Sequence, residues 1–103
     1  MAHNDLVSVT IVTYDSGRFI KRCLESVLAQ RYPFKEVIVI DNASEDDTRS
    51  VVERNIVEIP RQEPRNDFRI KAIWNDKNRG FAAAVNQGVE ASRGESILLL
   101  NPD

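Results

Sequence analysis

Hydrophobic and polar positions divide the chain into short apolar runs separated by amphipathic stretches. Four runs are rich in β-branched residues or leucine and are bounded by turn-forming residues, a pattern typical of strands. The third run alternates between apolar and polar positions, which favours a strand near an edge of a sheet. The predicted strands are residues 6–13, 37–40, 69–74 and 96–100.

Two helices are predicted, and the first of them is amphipathic, with apolar residues spaced three and four positions apart. The first covers residues 17–30 and begins after Asp15 or Ser16 as its N-cap. The second is expected to begin at Ser44, because Ser44 and Asp47 approximate a capping box. Both helices therefore start in polar segments that follow predicted strands.

A third helix is predicted after residue 80, and Gly94 is expected to end it in the C′ position. Strands that alternate with helices imply an α/β fold, here a Rossmann-like parallel sheet with right-handed crossovers and helices on both faces. The element order is β-α-β-α-β-α-β, and residues 1–103 are expected to form one domain. The predicted apolar face of the third helix consists of Phe81, Ala82, Val85 and Val89.

Carboxylate and amide side chains follow all four predicted strands. Ligands of parallel sheets bind outside the carboxyl ends of the strands, so these side chains are candidate site residues. Asp15 and Asp41 could accept hydrogen bonds from a base or ribose, and Asp103 with a nucleotide diphosphate could hold Mg²⁺. The alternative is that they are turn and N-cap residues only. The segments are Thr13-Tyr14-Asp15, Asp41-Asn42, Asn75-Asp76 and Asn101-Pro102-Asp103.

Glycine-rich phosphate-binding motifs are absent from the first turn, which argues against a dinucleotide site and an ATPase loop. Gly80 follows Asn78-Arg79 and opens the third helix, where main-chain N–H groups could meet a ligand. A simple turn is the alternative at Gly80. Trp74 ends a strand and is expected to be packed rather than stacked on a sugar.

Charge and cysteine content exclude other classes of protein. The 14 basic and 16 acidic residues are interspersed and give a net charge of -2, which offers no basic surface to nucleic acid. Cys23 is the single cysteine, so no internal disulfide forms and a reducing compartment is expected. No apolar run reaches the length of a membrane span. The expected location is the cytoplasm, with association with the inner face of the membrane as a second option.

Five segments, taken in order and spacing, resemble the N-terminal part of family 2 glycosyltransferases. The resemblance covers nearly the whole chain, and only residues 56–68 look like a local insertion. The segments are 9–15 (VTIVTYD), 24–30 (LESVLAQ), 36–48 (EVIVIDNASEDDT), 78–88 (NRGFAAAVNQG) and 98–103 (LLLNPD). The resemblance implies the GT-A fold, whose N-terminal half binds a nucleotide-diphosphate sugar and whose C-terminal half binds the acceptor.

Roles for the strand-end residues follow from the resemblance. Thr13, Tyr14 and Asp15 match the segment that lines the base and ribose in this family. Asp41 matches the first acidic residue of the second-strand motif, which contacts the base. One departure is Asp47, which stands where glycine is common.

The loop and the terminal motif also have implied roles. Asn78, Arg79 and Gly80 match the loop that closes over the nucleoside. Asn101-Pro102-Asp103 takes the place of the D-x-D motif, which implies Mg²⁺ or Mn²⁺ as cofactor, Asp103 as its ligand and Asn101 at the donor. Asn101 replaces the first carboxylate of that motif. An N-P-D ending is similar to that of rhamnosyltransferases, which suggests a donor such as dTDP-rhamnose.

The resemblance implies inverting transfer of a sugar to a hydroxyl of a glycan or lipid-linked acceptor, as in the synthesis of cell-envelope polysaccharides. The general base of the family lies downstream of the D-x-D position, so residues 1–103 are expected to be the donor-binding half, without the acceptor half. One alternative is a non-catalytic nucleotide-binding or self-associating module, in which the bare fourth strand recruits a second copy. Another is a sugar nucleotidyltransferase, which the single glycine of Tyr14-Asp15-Ser16-Gly17 disfavours.

Overall fold

The structure is a computed structural model that describes residues 6–30, 35–58 and 69–102. Seven elements alternate along the chain in the predicted order. The strands are β1 (Val7–Thr13), β2 (Lys35–Asp41), β3 (Arg69–Trp74) and β4 (Ser96–Leu100). The helices are α1 (Ile20–Ala29), α2 (Thr48–Glu58) and α3 (Phe81–Ala91).

The four strands form one parallel sheet in the order β3-β2-β1-β4. Helices α1 and α2 contribute to the larger apolar cluster on one face, and α3 packs on the other face. Strand β2 is buried at all seven positions because it has a neighbour on each side and helices on both faces. The α/β, Rossmann-like prediction is confirmed, and so is the edge position of β3.

The strand order places a topological switch between β1 and β4. The chain builds outward from β1 to β3, and α3 then returns it across the sheet to β4 on the other side of β1. Helix α1, which follows β1, lies on one face of the sheet, and α3, which leads into β4, lies on the other. In parallel sheets ligands bind at the carboxyl ends of the strands beside such a switch. The predicted residues Thr13, Asp15 and Asn101 lie at these strand ends.

Helix α1 begins at Ile20, three residues later than predicted, with Phe19 as its N-cap and no side-chain cap. A turn precedes it, in which the Ser16 carbonyl accepts hydrogen bonds from the N–H groups of Phe19 and Ile20, each at 2.9 Å. The prediction that Asp15 or Ser16 caps this helix is wrong. Their side chains bond instead within the strand-end loops.

Helix α2 begins at Thr48, so the predicted start at Ser44 is wrong. The Ser44 hydroxyl donates to Asp41 at 2.6 Å and is not a helix cap. Asp47 precedes the helix and its carbonyl accepts the first helical hydrogen bond, from the N–H of Val51 at 3.0 Å. The carboxylate of Asp46 accepts the N–H of Thr48 at 2.9 Å. Of the predicted insertion, residues 59–68 lie outside the described residues.

Helix α3 packs on the sheet through small residues. Ala84 and Gly88 are buried, whereas Phe81 is 62% exposed and Val89 is also exposed. The predicted apolar face is therefore not the packed one. A Cβ at Gly88 would lie 2.5 Å from Cγ2 of Thr10, so the close approach of α3 to β1 requires glycine.

Gly94 is not the C′ residue, because α3 ends at Ala91 with Ser92 as its C-cap. A Cβ on Gly94 would lie 2.6 Å from the Leu6 carbonyl oxygen, so glycine is required for a close backbone approach. The N–H of Gly94 donates to the Ser8 hydroxyl at 2.8 Å. The chain before β4 is thus fastened to β1.

A buried carboxylate holds the amino ends of the strands together. Glu36 is 1% exposed, and its Oε2 accepts the Ser8 hydroxyl and the N–H of Arg93, each at 2.6 Å. Its Oε1 lies 3.6 Å from Nζ of Lys71 on β3. Burial alone would raise the pKa of Glu36, but these hydrogen bonds and the Lys71 charge outweigh burial and lower that pKa.

Two further side chains pack against the larger apolar cluster. Trp74 packs against the larger apolar cluster, with the Arg49 guanidinium 4.7 Å from the centre of its ring, as the packed interpretation predicts. Cys23 packs against the same cluster, and burial raises the pKa of its thiol.

No helix in the described ranges is long and apolar enough to cross a bilayer.

Candidate functional site

The carboxyl ends of β1 and β2 are joined by a hydrogen bond between side chains. Thr13 and Asp41 are register partners, and the Thr13 hydroxyl donates to Asp41 Oδ1 at 2.6 Å. Both residues are buried, Thr13 completely and Asp41 to 4% exposure. The pair therefore stands at the base of the strand-end loops rather than on their surface.

Ser44 holds the Asp41 carboxylate from the other side. Its hydroxyl donates to Asp41 Oδ1 at 2.6 Å, and its N–H donates to Asp41 Oδ2 at 3.0 Å. Three donors thus fix the orientation of one carboxylate. Oδ2 accepts one of these bonds, and a carboxylate oxygen has room for a second. Asp41 can therefore still accept a hydrogen bond from a ligand.

Asp15 locks the loop after β1 to the loop after β2. Its N–H donates to the Ser44 hydroxyl at 2.8 Å, and its Oδ1 accepts the N–H groups of Glu45 at 2.7 Å and Asp46 at 3.3 Å. Asp15 has φ 48° and Ala43 has φ 61°, so both loops turn through left-handed residues. Tyr14 is 50% exposed, which leaves its ring available to a ligand.

The acidic residues after β2 serve these loops as well. Asp46 Oδ2 accepts the N–H of Gly17 at 3.0 Å, and the Asp46 carboxylate also accepts the hydroxyl of Thr48. Desolvation would raise the pKa of Asp46, but the hydrogen bonds from Thr48 and Gly17 outweigh it and lower that pKa. The N–H of Ser16 donates to the Thr48 hydroxyl at 2.8 Å. Both loops are therefore tied to the start of α2.

The loop before α3 is tied to the same edge through Asn42. Its Oδ1 accepts the N–H of Arg79 at 3.3 Å, and its Nδ2 donates to the Gly80 carbonyl at 3.2 Å. The N–H of Gly80 donates to Asn78 Oδ1 at 2.8 Å. The Arg79 guanidinium lies 3.8 Å from the exposed carboxylate of Asp76. The loop residues predicted from the sequence, Asn78, Arg79 and Gly80, therefore lie beside Asn42, the residue that follows Asp41.

Asn101 lies at the carboxyl end of β4, the neighbour of β1 in the sheet. It is exposed and, with Pro102, lines an open cavity of about 1050 Å³ beside α1. Arg18 and Phe19 line the same cavity. Asp103, the predicted metal ligand, lies outside the described residues.

The family model described as "Glycosyl transferase family 2" matches residues 8–103. The chain belongs to glycosyltransferase family 2. This family 2 chain is 37% identical over 97 residues to the succinoglycan biosynthesis protein ExoO of Rhizobium meliloti, a match that covers 94% of the chain and 25% of ExoO. It spans between 13% and 36% of the length of the curated relatives compared with it.

Solved structures agree in fold with the family 2 chain. The mannosyltransferase PcManGT of Pyrobaculum calidifontis, in complex with GDP-Man and Mn²⁺, superposes with a TM-score of 0.84 at 28% identity, covering 99% of this chain and 28% of that one. TarS 1–349 of S. aureus, in complex with UDP-GlcNAc, has a TM-score of 0.78 at 29% identity and covers 94% and 26%. These neighbours are glycosyltransferases of the GT-A type, so the predicted fold and family are confirmed.

A divalent cation has few protein donors in the described part of the family 2 chain. No group of three or more Asp, Glu, His or Cys side chains that could hold a metal occurs there. Asp41 and Asp15 already accept hydrogen bonds from the protein. The described residues therefore do not hold a metal by protein groups alone. Mg²⁺ prefers one or two carboxylates together with the oxygens of a ligand diphosphate, and the carboxylate predicted for that role, Asp103, lies outside the described residues.

Four polar residues of this edge make contacts that the sequence does not predict. Asn42 and Asn75 are strand-end candidates without an assigned partner, Ser44 is expected only as a helix cap, and Gln87 belongs only to the matched segment 78–88. Asn42 and Ser44 lie inside the recognised second-strand motif, so their position in the sequence already signalled them. Asn75 and Gln87 pair across 12 residues, from the end of β3 to the second turn of α3. Only the packing of α3 reveals this pair, because neither residue belongs to a spaced motif that predicts contact.

Residue 80 has a backbone conformation that requires glycine. We therefore expect Gly80→Ala to lower the free energy of unfolding by about 1–3 kcal/mol. Its φ of 87° and ψ of 165° fall in a region that is essentially restricted to glycine. Steric contact is not the cause, since a Cβ there would meet nothing within 4 Å. Urea unfolding measures the effect, with Lys77→Ala in the same loop as the control. Equal stability of Gly80→Ala and the parent chain would contradict the expectation.

Proposed function

We propose that the chain forms the donor-binding half of an inverting glycosyltransferase and binds a nucleotide-diphosphate sugar at the carboxyl edge of its sheet. The observation that carries the proposal is the Asp41 carboxylate, fixed by Thr13 and Ser44 at the carboxyl end of β2, the strand next to β1. A fixed, buried carboxylate with remaining acceptor capacity is suited to bind a base N–H or a ribose hydroxyl. The GDP-Man and UDP-GlcNAc complexes of the structural neighbours support this choice of ligand class.

The base and ribose are assigned to the β1 and β2 ends. Thr13 holds the Asp41 side chain in place, and Asp15 holds the loop of Ser44. The exposed Tyr14 ring can contact the nucleoside directly. Asp41 accepts a hydrogen bond from the base. The loop of Asn78, Arg79 and Gly80 closes over the nucleoside from the side of α3.

The diphosphate is assigned to the end of β4, with Asn101 beside it and Asp103 as the metal ligand. A divalent cation bound there supplies Lewis-acid stabilisation of the charge that develops on the leaving diphosphate.

In the reaction the acceptor oxygen bonds to the anomeric carbon as the bond to the diphosphate breaks, and a general base takes the hydroxyl proton. That base belongs to the acceptor half, so the 103 residues alone bind donor without efficient transfer. A rhamnose donor carried on dTDP stays a prediction from Asn101-Pro102-Asp103.

Nucleotide titration tests the proposal directly. Calorimetry with UDP, dTDP and GDP, each with and without Mn²⁺, is expected to find one diphosphate whose affinity rises with the metal. Asp103→Ala is expected to remove this metal-dependent gain, at least about tenfold, because a cation shared with the diphosphate loses its carboxylate. Asp76→Ala, another carboxylate at the same edge, is the matched control. Absence of binding for every nucleotide, with and without Mn²⁺, would overturn the proposal.

A second candidate is a self-associating module of the same fold. Ile97, Leu98 and Leu99 of the edge strand β4 are each exposed by more than 40%, and an exposed apolar edge recruits further strands. Light scattering distinguishes the two candidates. A dimer that binds no nucleotide supports the module, whereas a monomer that binds a diphosphate supports the donor-binding half.

A further inference from the structure

Three side-chain amides form a continuous chain of hydrogen bonds from α3 to the loop before it. Asn75 and Gln87 face each other as a reciprocal pair: Asn75 Nδ2 donates to Gln87 Oε1 at 2.8 Å, and Gln87 Nε2 donates to Asn75 Oδ1 at 2.9 Å. The Asn75 Nδ2 group also donates to Asn42 Oδ1 at 3.0 Å. We call Asn42, Asn75 and Gln87 the amide cluster.

The amide cluster determines where the Arg79–Gly80 peptide lies. Asn42 is buried. Its Oδ1 accepts the N–H of Arg79, and its Nδ2 donates to the carbonyl of Gly80. The Gly80 carbonyl also accepts the first helical hydrogen bond of α3, from Ala84 at 3.2 Å. The side-chain amide of Asn42 therefore fixes the position of both the Arg79–Gly80 segment and the first residue that caps α3.

The orientation of each amide depends on the next one. The backbone donor of Arg79 requires that the oxygen of Asn42 point toward the loop, and this oxygen in turn requires the nitrogen of Asn75. Gln87 then completes the bonding of Asn75 and anchors it to the second turn of α3. Loss of one member leaves its neighbours free to rotate, because a primary amide offers both a donor and an acceptor side.

We infer that Asn42, Asn75 and Gln87 are positioning residues for nucleotide binding, which hold the Arg79–Gly80 peptide against the donor without touching it. The inference rests on the proposed function of the Asn78-Arg79-Gly80 loop. It assigns a role to Gln87, a helix residue outside the strand-end segments.

The first experiment needs no ligand. Hydrogen–deuterium exchange at the Arg79 N–H is compared by NMR in the parent chain, Gln87→Ala and Glu90→Ala. Glu90 is an exposed residue of the same helix and similar in length to Gln87, so its variant is the matched control. Exchange in Gln87→Ala is expected to be about five- to tenfold faster, the effect of losing one or two hydrogen bonds. Equal exchange in all three proteins would overturn the positioning role.

The second experiment is the titration of UDP, dTDP and GDP with Mn²⁺ at a temperature well below the unfolding midpoint of every variant. Gln87→Ala is expected to weaken binding about five- to tenfold, and the exchanged pair Asn75→Gln with Gln87→Asn is expected to recover most of it. A lower midpoint with unchanged affinity would show a structural brace and overturn the inference. Failure of the parent chain to bind any nucleotide overturns the proposed function instead, and the exchange experiment then decides the positioning role.

Discussion

Asp41→Asn is expected to lower the free energy of unfolding by about 2–3 kcal/mol, the cost typical of hydrogen bonds to a charged group. An asparagine can keep its oxygen toward the hydroxyls of Thr13 and Ser44. Its nitrogen then faces the N–H of Ser44, which lies 3.0 Å from Oδ2 in the parent chain, so two donors oppose each other. Nucleotide affinity is expected to fall more than about tenfold, because the acceptor offered to the ligand is replaced by a donor.

Asp76→Asn is the matched control for this prediction. Asp76 belongs to the same edge of the sheet, but its side chain is 87% exposed and its partner Arg79 is 3.8 Å away. Its replacement is expected to change stability by less than about 0.5 kcal/mol. Chemical unfolding and calorimetric titration of both variants give the comparison. A result in which Asp41→Asn and Asp76→Asn behave alike would remove Asp41 from the centre of the site.

Glu36→Gln is the second substitution with a large expected effect, a loss of about 2–3 kcal/mol at neutral pH. Two short hydrogen bonds, from Ser8 and Arg93, converge on one buried oxygen, and Lys71 faces the other oxygen. If the glutamine oxygen accepts from Ser8 and Arg93, the amide nitrogen faces the Lys71 ammonium group; if the oxygen faces Lys71, the nitrogen faces the two donors. No effect on nucleotide affinity is expected beyond that caused by lower stability, because Glu36 lies at the amino end of β2.

The stability contributed by Glu36 is expected to depend on pH. Its pKa is lowered below the ordinary value of 4.5 by Ser8, Arg93 and Lys71, against the opposing effect of burial. The unfolded chain therefore binds more protons than the folded chain at pH values just below 4.5, and stability falls as the pH falls through the folded pKa. Above 4.5 the contribution is complete. The difference in stability between the parent chain and Glu36→Gln is thus expected to be full at neutral pH and to shrink in acid.

Urea unfolding from about pH 7 to about pH 3.5 tests this dependence. Glu53→Gln is the control, since Glu53 pairs with Arg49 at 3.5 Å with both side chains more than half exposed. An exposed pair of this kind contributes about 0–1 kcal/mol. If the gap between the parent chain and Glu36→Gln stayed constant over the whole pH range, the carboxylate would not be the source of the stability.

The sequence predicted the order and type of all seven elements because apolar runs and helical spacing reflect burial directly. It failed at the starts of α1 and α2. Ser44 and Asp15 are residue types that are common at N-caps. In the structure, however, the Ser44 hydroxyl accepts the N–H of Asp15, and the Asp15 carboxylate accepts the N–H of Glu45. Local propensity cannot reveal these contacts, because the partner groups lie about 30 residues away in the chain.

The packed face of α3 was also missed, for a different reason. Large apolar residues usually mark the buried face, yet Phe81 and Val89 are exposed and Gly88 is buried. The helix approaches β1 so closely that only small residues fit, a constraint set by the sheet and not by the helix itself. The site residues recognised by family resemblance, in contrast, lie at one edge wherever the structure describes them, because motif order already carries tertiary information.

Strand β2 ends in carboxylates that face hydroxyl groups of β1 in register, Glu36 opposite Ser8 and Asp41 opposite Thr13. Residues 37–40 between them are uniformly apolar, so a shift of two positions along β1 would keep every side chain on its face and cost little in the interior. At the two ends the same shift would separate both carboxylates from their hydroxyl donors inside a buried strand. Burying carboxylates without partners raises the free energy of the folded chain. The alignment of the central strands is therefore selected by polar pairs at their ends, and a chain that lost both pairs would have several nearly equivalent ways to pair its sheet.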